Sequence, residues 1–275
     1  MNKLLFGTAR IPISARGTGL IEGIKEVKEL GLDCMELEFV RKIFLNKTNA
    51  KIVKKAAQKN NIILTCHAPY YINLNSQEDK KINASKIRII NSAKIAYEAG
   101  AWSLCFHAGF YLKKDPEKVY KKIKQNMDHI IKILEDQNID IWIRPETTGK
   151  QTQWGTLKEI LRLSQEYEKV MPCIDFAHLH SREGKLNTLN EFREIFNNVE
   201  KYLGKKGLKN IHGHISGIEY TQKGEKRHLP LEDSDFNYID LLKIFKEYNI
   251  KGTIISESPI IELDAIKMKK KYKML

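Results

Sequence analysis

Apolar positions along the chain follow two alternating periods. Leu20, Ile24 and Val27 recur at helical spacing and predict a helix that Gly31 stops. Ile52, Val53, Ala56 and Ala57 predict a second, and Ile87, Ile90, Ala93, Ala96 and Tyr97 a third, which ends at Gly100. Val119, Ile123, Met127, Ile130 and Leu134 predict a fourth, opened by Asp115 as N-cap and Pro116 in the first turn. Leu157, Ile160, Leu161 and Ser164 suggest a fifth helix, while Leu189, Phe192, Ile195, Phe196, Val199 and Leu203 mark a strong sixth. Ile239, Leu242, Phe245 and Tyr248 mark a seventh. Between them lie the short apolar runs LLFGTA, CMELEF, NIILTCH, WSLCFH, IDIWIRPE, MPCID, NIHGHIS and GTIISES. They are rich in branched residues and do not alternate cleanly, which suits strands covered on both faces.

Eight such strands with seven helices between them predict a parallel (β/α)8 TIM barrel. The competing architecture is a doubly wound open sheet. No GxGxxG follows the first strand, which weakens its dinucleotide-binding version. No linker, repeat or low-complexity segment divides the chain, so residues 1–275 are expected to form one domain, with KMKKKYKML as a short basic tail.

Composition narrows the class without deciding it. Of 275 residues, 42% are apolar and 29% charged, ordinary values for a soluble globular protein. No apolar run is long enough to span a membrane, and MNKLLFGTARIP is too short an apolar start for a signal peptide, so a cytoplasmic monomer with no membrane partner is expected. Cys34, Cys66, Cys105 and Cys173 have no zinc-finger spacing and read as buried, reduced thiols. The net charge of +13 attracts polyanions. The same lysines are spread along nearly every predicted helix, however, a distribution that also fits heat adaptation or an AT-rich genome.

The chemistry lies at the strand ends. The late strands finish on His67, His107, Glu146, Asp175, His214 and Glu257, with separations of 40, 39, 29, 39 and 43 residues. Each step is one βα unit, so a barrel would turn all six side chains into its C-terminal mouth, where active sites are built. Clustered imidazoles and carboxylates need compensation, and a metal ion supplies it; this donor mixture favours Zn²⁺, Mn²⁺ or Fe²⁺ over Mg²⁺. His178, one turn into the loop after Asp175, and His228, in the long connection after strand 7, extend the site. His129 lies on a helix and reads as solvated, while His180 and His212 stay open; His212 shares a strand face with His214.

Taken in order, HAPYYINL (67–74), FHAG (106–109), RPETTGK (144–150), IDFAH (174–178), HGHIS (212–216) and RHLPL (227–231) resemble the endonuclease IV family of zinc-dependent apurinic/apyrimidinic endonucleases, within the xylose-isomerase-like barrels. The likeness runs over nearly the whole chain. It implies two or three Zn²⁺ ions, with Mn²⁺ as a substitute. His67 and His107 would hold one ion and Glu146 would bridge it to a second. Asp175, His214 and Glu257 would complete the second, and His178 and His228 would hold a third. The implied reaction is hydrolysis of the phosphodiester 5′ to an abasic site in double-stranded DNA, as in base-excision repair. Tyr70 and Tyr71 would probe the helix at the lesion by stacking, or else pack at the rim.

Two positions depart from the family. Lys226 stands where the family carries an aspartate two residues before the histidine matching His228, and an ammonium cannot ligate a metal. Lys226 is therefore expected to replace the charge of a missing third ion and to act in catalysis beside Glu146. Glu225 is the neighbouring carboxylate. The loop EFVRKIFLN after strand 2 also differs, and Arg41 within it is a candidate phosphate contact. Two rival readings remain: a metal-dependent sugar isomerase or epimerase on the same barrel, and a non-catalytic nucleic-acid-binding relative.

Overall fold

The computed structural model describes all 275 residues. Its frame is eight parallel strands: β1 (Leu4–Ala9), β2 (Cys34–Glu38), β3 (Ile63–His67), β4 (Ala101–Phe106), β5 (Trp142–Pro145), β6 (Cys173–Asp175), β7 (Ile211–Ile215) and β8 (Gly252–Ser256). They pair in the order β5-β4-β3-β2-β1-β8-β7-β6. Two isolated parallel bridges, Ile143–Val170 and Glu146–Cys173, close the ring between β5 and β6. Every predicted strand is present, and the predicted TIM barrel is the observed fold.

Nine helices surround the strands: α1 (Leu20–Glu29), α2 (Lys47–Asn60), α3 (Asp79–Glu98), α4 (Pro116–Asp136), α5 (Leu157–Ser164), α6 (Phe176–Glu183), α7 (Leu189–Leu208), α8 (Tyr238–Glu247) and α9 (Glu262–Met274). Local chemistry sets their starts. The Asp115 carboxylate accepts from the Lys118 N–H at 3.1 Å and caps α4. Thr156 with Glu159, and Thr188 with Glu191, form capping boxes at α5 and α7. The apolar stripes of these helices join the strands in one contiguous core.

Two helices differ from the sequence expectation. His178 lies in helix α6 and not in a loop. Seven of the eight α6 residues, Phe176 to Arg182, are buried, so this short helix has no polar face to reveal its period. The basic tail is helix α9. Its core-facing residues Ala265, Met268 and Tyr272 keep helical spacing, hidden among lysines, and the Tyr272 ring packs 5.3 Å from that of Phe6.

Outside the barrel, Gly217–Thr221 and Gly224–Leu229 form an antiparallel hairpin. No helix is long and apolar enough to cross a membrane. All four cysteines are free and buried.

Candidate metal centre

The barrel brings the six strand-end residues to one mouth, as their spacing predicts. Glu146 stands at the middle. Its Oε2 lies 3.0 Å from His67 Nε2 and 3.7 Å from His107 Nε2. Its Oε1 lies 3.2 Å from His214 Nδ1 and 3.5 Å from His178 Nδ1. Glu257 Oε1 is 3.3 Å from His214 Nδ1. Single donor atoms from Glu146, Asp175, His214 and Glu257 all fall within 4.8 Å of one another.

Asp175 has two tasks, because β6 runs straight into α6. Its Oδ1 accepts from the His178 N–H at 2.7 Å and caps the helix, while its Oδ2 is buried with no hydrogen-bond partner. Capping fixes the first turn of α6, and that turn carries the His178 ring into the mouth.

Ring tautomers show whether these groups suit a cation. The Nδ1 atoms of His67, His178 and His228 face the carbonyl oxygens of Ala68 (2.7 Å), Thr147 (3.0 Å) and Glu257 (3.2 Å). A carbonyl only accepts, so each Nδ1 carries the hydrogen and each neutral ring presents a lone pair at Nε2. The His178 and His228 Nε2 atoms lie 3.4 Å apart, with Glu225 Oε2 3.5 Å from the former. His228 Nε2 and Glu225 Oε2 thus both approach His178 Nε2, and Asp175, His178 and His228 each bring a donor atom within 4.8 Å of the others. Ligands around tetrahedral zinc, at about 2.0–2.1 Å from the ion, lie about 3.3–3.5 Å from each other. The spacing and the backbone-bonded second nitrogen both fit metal ligation.

The electrostatics agree. Burial opposes protonation of His67 and His178, yet Glu146, with Asp175 and Glu225 beside His178, holds both rings well above their ordinary pKa. The field that would draw protons onto these rings would equally draw a cation. Burial, with His178 and His67 nearby, pushes His107 down to about 4 and keeps it neutral. Burial, with Glu146 and Asp175 close by, pushes Glu257 well above the usual carboxylate range.

Lys226 needs correction. It is exposed and pairs with Glu219 on the neighbouring hairpin strand, so its ammonium faces away from the mouth. The hairpin register explains this. Glu219 opposes Arg227 and Tyr220 opposes Glu225, which leaves Lys226 as the extra residue of a β-bulge. The bulge reverses the alternation. Glu225 and His228, three residues apart, therefore share the face that a regular strand would give to residues 226 and 228. Glu225, and not Lys226, reaches His178. Gly149 makes room for it, since a Cβ there would sit 2.7 Å from Glu225 Cβ. The Glu225 N–H donates to the Gly149 carbonyl at 2.9 Å and ties the hairpin to the loop after β5.

The remaining candidates line up unequally. Tyr70 is 58% exposed and lines a cavity of ≈ 370 Å³ with His67, His107, His178, Glu225, His228 and Glu257. Tyr71 is exposed, and its carbonyl receives Arg88. Arg41 is exposed beside Val40, which lines the rim. His129 is exposed on α4, and His180 is engaged by Lys185 and Asp235 away from the mouth.

Sequence reasoning missed Glu36 and Glu38. Glu36 is fully buried beneath the mouth, and its oxygens lie 2.9 Å from His214 Nε2 and 3.0 Å from His212 Nε2. Glu38 lines the cavity, and burial raises its carboxyl to about 7. Two carboxylates two residues apart in the apolar run CMELEF were the signal, because period two turns both toward the barrel axis.

Comparison with known proteins places this geometry. An uncharacterized protein of Methanocaldococcus jannaschii is 44% identical over 99% of this chain and 98% of its own length. A probable endonuclease 4 of Aster yellows witches'-broom phytoplasma is 29% identical, covering 83% of this chain and 79% of its own. Among solved structures, endonuclease IV of Thermus thermophilus superposes with a TM-score of 0.75 at 14% identity, over 97% of this chain and 99% of that one. A D-tagatose 3-epimerase-like protein superposes almost equally, with a TM-score of 0.74 at 19% identity over 98% and 96%. These two likenesses concern the fold alone. Residues 24–272 match the xylose isomerase-like TIM barrel family, and the chain belongs to it.

Proposed function

We propose that this protein is a metal-dependent endonuclease that hydrolyses the phosphodiester 5′ to an abasic site in double-stranded DNA. The observation that carries the reading is a second set of donors, Asp175, His178 and His228 with Glu225 3.5 Å from His178, beside the set built on Glu146. A polyol-handling barrel leans on one carboxylate-rich ligand set. A second, histidine-rich set offers another positive centre, suited to a phosphodiester whose charge rises during cleavage. The sequence likeness to a probable endonuclease 4 points the same way.

In this reading Glu146 with His67 and His107, and Asp175 with His214 and Glu257, are the residues that would hold metal ions. Zn²⁺ or Mn²⁺ in these positions would polarise the phosphoryl oxygens and neutralise charge on the leaving oxygen. Lys150 and Arg10 line the adjoining cavities and would hold flanking phosphates, with Arg41 further out on the rim. The exposed Tyr70 ring, with Tyr71 beside it, would fill the gap left by a missing base. The protein is expected to act as a monomer in the cytoplasm.

One observation favours a second reading, a sugar epimerase. Glu38 places a carboxyl in the cavity, and an ionised carboxyl there suits hydroxyl groups better than phosphate. A single comparison separates the two. The metal-loaded protein is given a duplex with one abasic-site analogue, an undamaged duplex and a set of ketohexoses. Nicking at the lesion alone, leaving a 3′-hydroxyl and abolished by Glu146→Ala, supports the nuclease. Absence of nicking with Zn²⁺, Mn²⁺ or Co²⁺, together with ketohexose conversion, would overturn it.

A further inference from the structure

Beneath the mouth lies a second group of potential ligands, of which the proposed reaction uses His214 alone, through its Nδ1. Cys105 on β4, Cys173 on β6 and His212 and His214 on β7 are all fully buried, and one donor atom from each falls within 4.8 Å of the others. Strand geometry causes the convergence. Cys173 pairs directly with His212, and His212 and His214 point to the same side of β7. We propose that Cys105, Cys173, His212 and the Nε2 atom of His214 form a separate, thiolate-containing metal site inside the barrel.

Three observations carry this. The His214 Nε2 atom is 3.6 Å from Cys173 Sγ and 3.9 Å from Cys105 Sγ. Sulfur at about 2.3 Å and imidazole nitrogen at about 2.0–2.1 Å from tetrahedral zinc lie about 3.5 Å apart, close to both distances. Next, His212 is held through Nδ1 by Ser103 Oγ at 2.9 Å, while its buried Nε2 faces Glu36 Oε2 at 3.0 Å without an aligned hydrogen bond. A ring anchored through one nitrogen, with the other turned into a buried cluster of thiols and a carboxylate, suits a metal-bound histidine. Finally, Glu36 Oε1 is buried 2.9 Å from His214 Nε2 without an aligned hydrogen bond, and its Oε2 lies 3.0 Å from His212 Nε2. A cation at the shared point would compensate these groups together.

Two cysteines and two histidines select Zn²⁺ or Fe²⁺ over hard cations. The His214 ring joins this site to the mouth, because its Nδ1 faces Glu146 and Glu257. The role expected of the buried ion is to lock β4, β6 and β7 behind the mouth ligands. The site stands whether or not the mouth cleaves DNA.

Cobalt tests this directly: Cys105 Sγ also lies within reach of His67 and Glu146 at the mouth, so Glu146→Ala and the Cys173 sulfur separate the buried site from a mouth ion. The full chain is produced in cobalt-supplemented medium and its absorption spectrum recorded. The proposal expects thiolate-to-cobalt charge-transfer absorption in the near ultraviolet. That absorption should persist in Glu146→Ala, and weaken in Cys105→Ser and Cys173→Ser as each sulfur is lost. Folded, cobalt-loaded wild-type protein showing ligand-field bands without charge transfer would overturn it, leaving hydrogen-bonded thiols. The Glu146→Ala spectrum decides even if the serine variants fail to fold: a band that persists there supports the buried site, and a band lost with Glu146 would assign Cys105 to the mouth and overturn it.

Discussion

Two parts of the molecule deliver imidazole and carboxylate to the same cavity by different means. The β6–α6 junction places Asp175 and His178 three residues apart, across a strand end and a capped helical turn. The hairpin places Glu225 and His228 three residues apart as well, but across a bulge. The junction belongs to the barrel wall, where pairing on both sides and burial fix it. The hairpin lies outside the wall and depends on Gly149 and the bulge at Lys226 to aim its donors. A barrel position is thus set by the βα repeat, whereas a hairpin position is set by local register, which one extra residue inverts.

The largest effect should come from the barrel side. Glu146→Ala removes the carboxylate that His67, His107, His178 and His214 surround, and metal affinity should fall by more than the roughly 10–100-fold typical of losing an outer-shell partner. Chelator competition and lesion nicking check this together. Survival of both would break the central-carboxylate account. Next in size is Glu225→Ala on the hairpin. It should lower metal content by one ion per chain and lesion cleavage by about 10–100-fold, while the Glu146 set stays loaded. Elemental analysis decides whether the hairpin supplies a ligand at all.

Smaller effects sharpen the comparison. Gly149→Ala puts a Cβ 2.7 Å from Glu225 Cβ, so it should cost about 1–3 kcal/mol by thermal melting and mimic part of the Glu225 metal loss. The smallest effects belong to Lys226. Lys226→Ala should stay within about 0.5 kcal/mol of wild type with full metal content, because the side chain meets only Glu219 at the surface. Deleting Lys226 removes the bulge and puts Glu225 two residues before His228 on a regular strand, so the ion should be retained. Metal loss on that deletion, by elemental analysis, would contradict the register argument.

This contrast also explains what the sequence revealed. The eight strands and the six strand-end histidines and carboxylates were legible because branched apolar runs and a residue step mostly near 40 repeat around the barrel. Helix α6 was not, because burial on every side removes amphipathic contrast. Helix α9 was obscured because lysines crowd its three core-facing residues. Lys226 was misplaced because the family spacing assumes a regular strand, and a bulge is a property of cross-strand pairing that no single strand displays. Glu36 was visible as a charge inside an apolar run, but its contact with His214 joins β2 to β7 across the barrel and needs the closed ring. Cys105 and Cys173 read as small apolar residues for the same reason, since only closure brings them to the histidines of β7.

The most direct test of the central claim is anomalous diffraction from crystals of the zinc-loaded protein. The account predicts a peak among His178 Nε2, His228 Nε2 and Glu225 Oε2, with further density against Glu146, and Lys226 turned outward toward Glu219. Density on the Glu146 set alone, with no ion between the two histidines and Lys226 folded into the cavity, would contradict it.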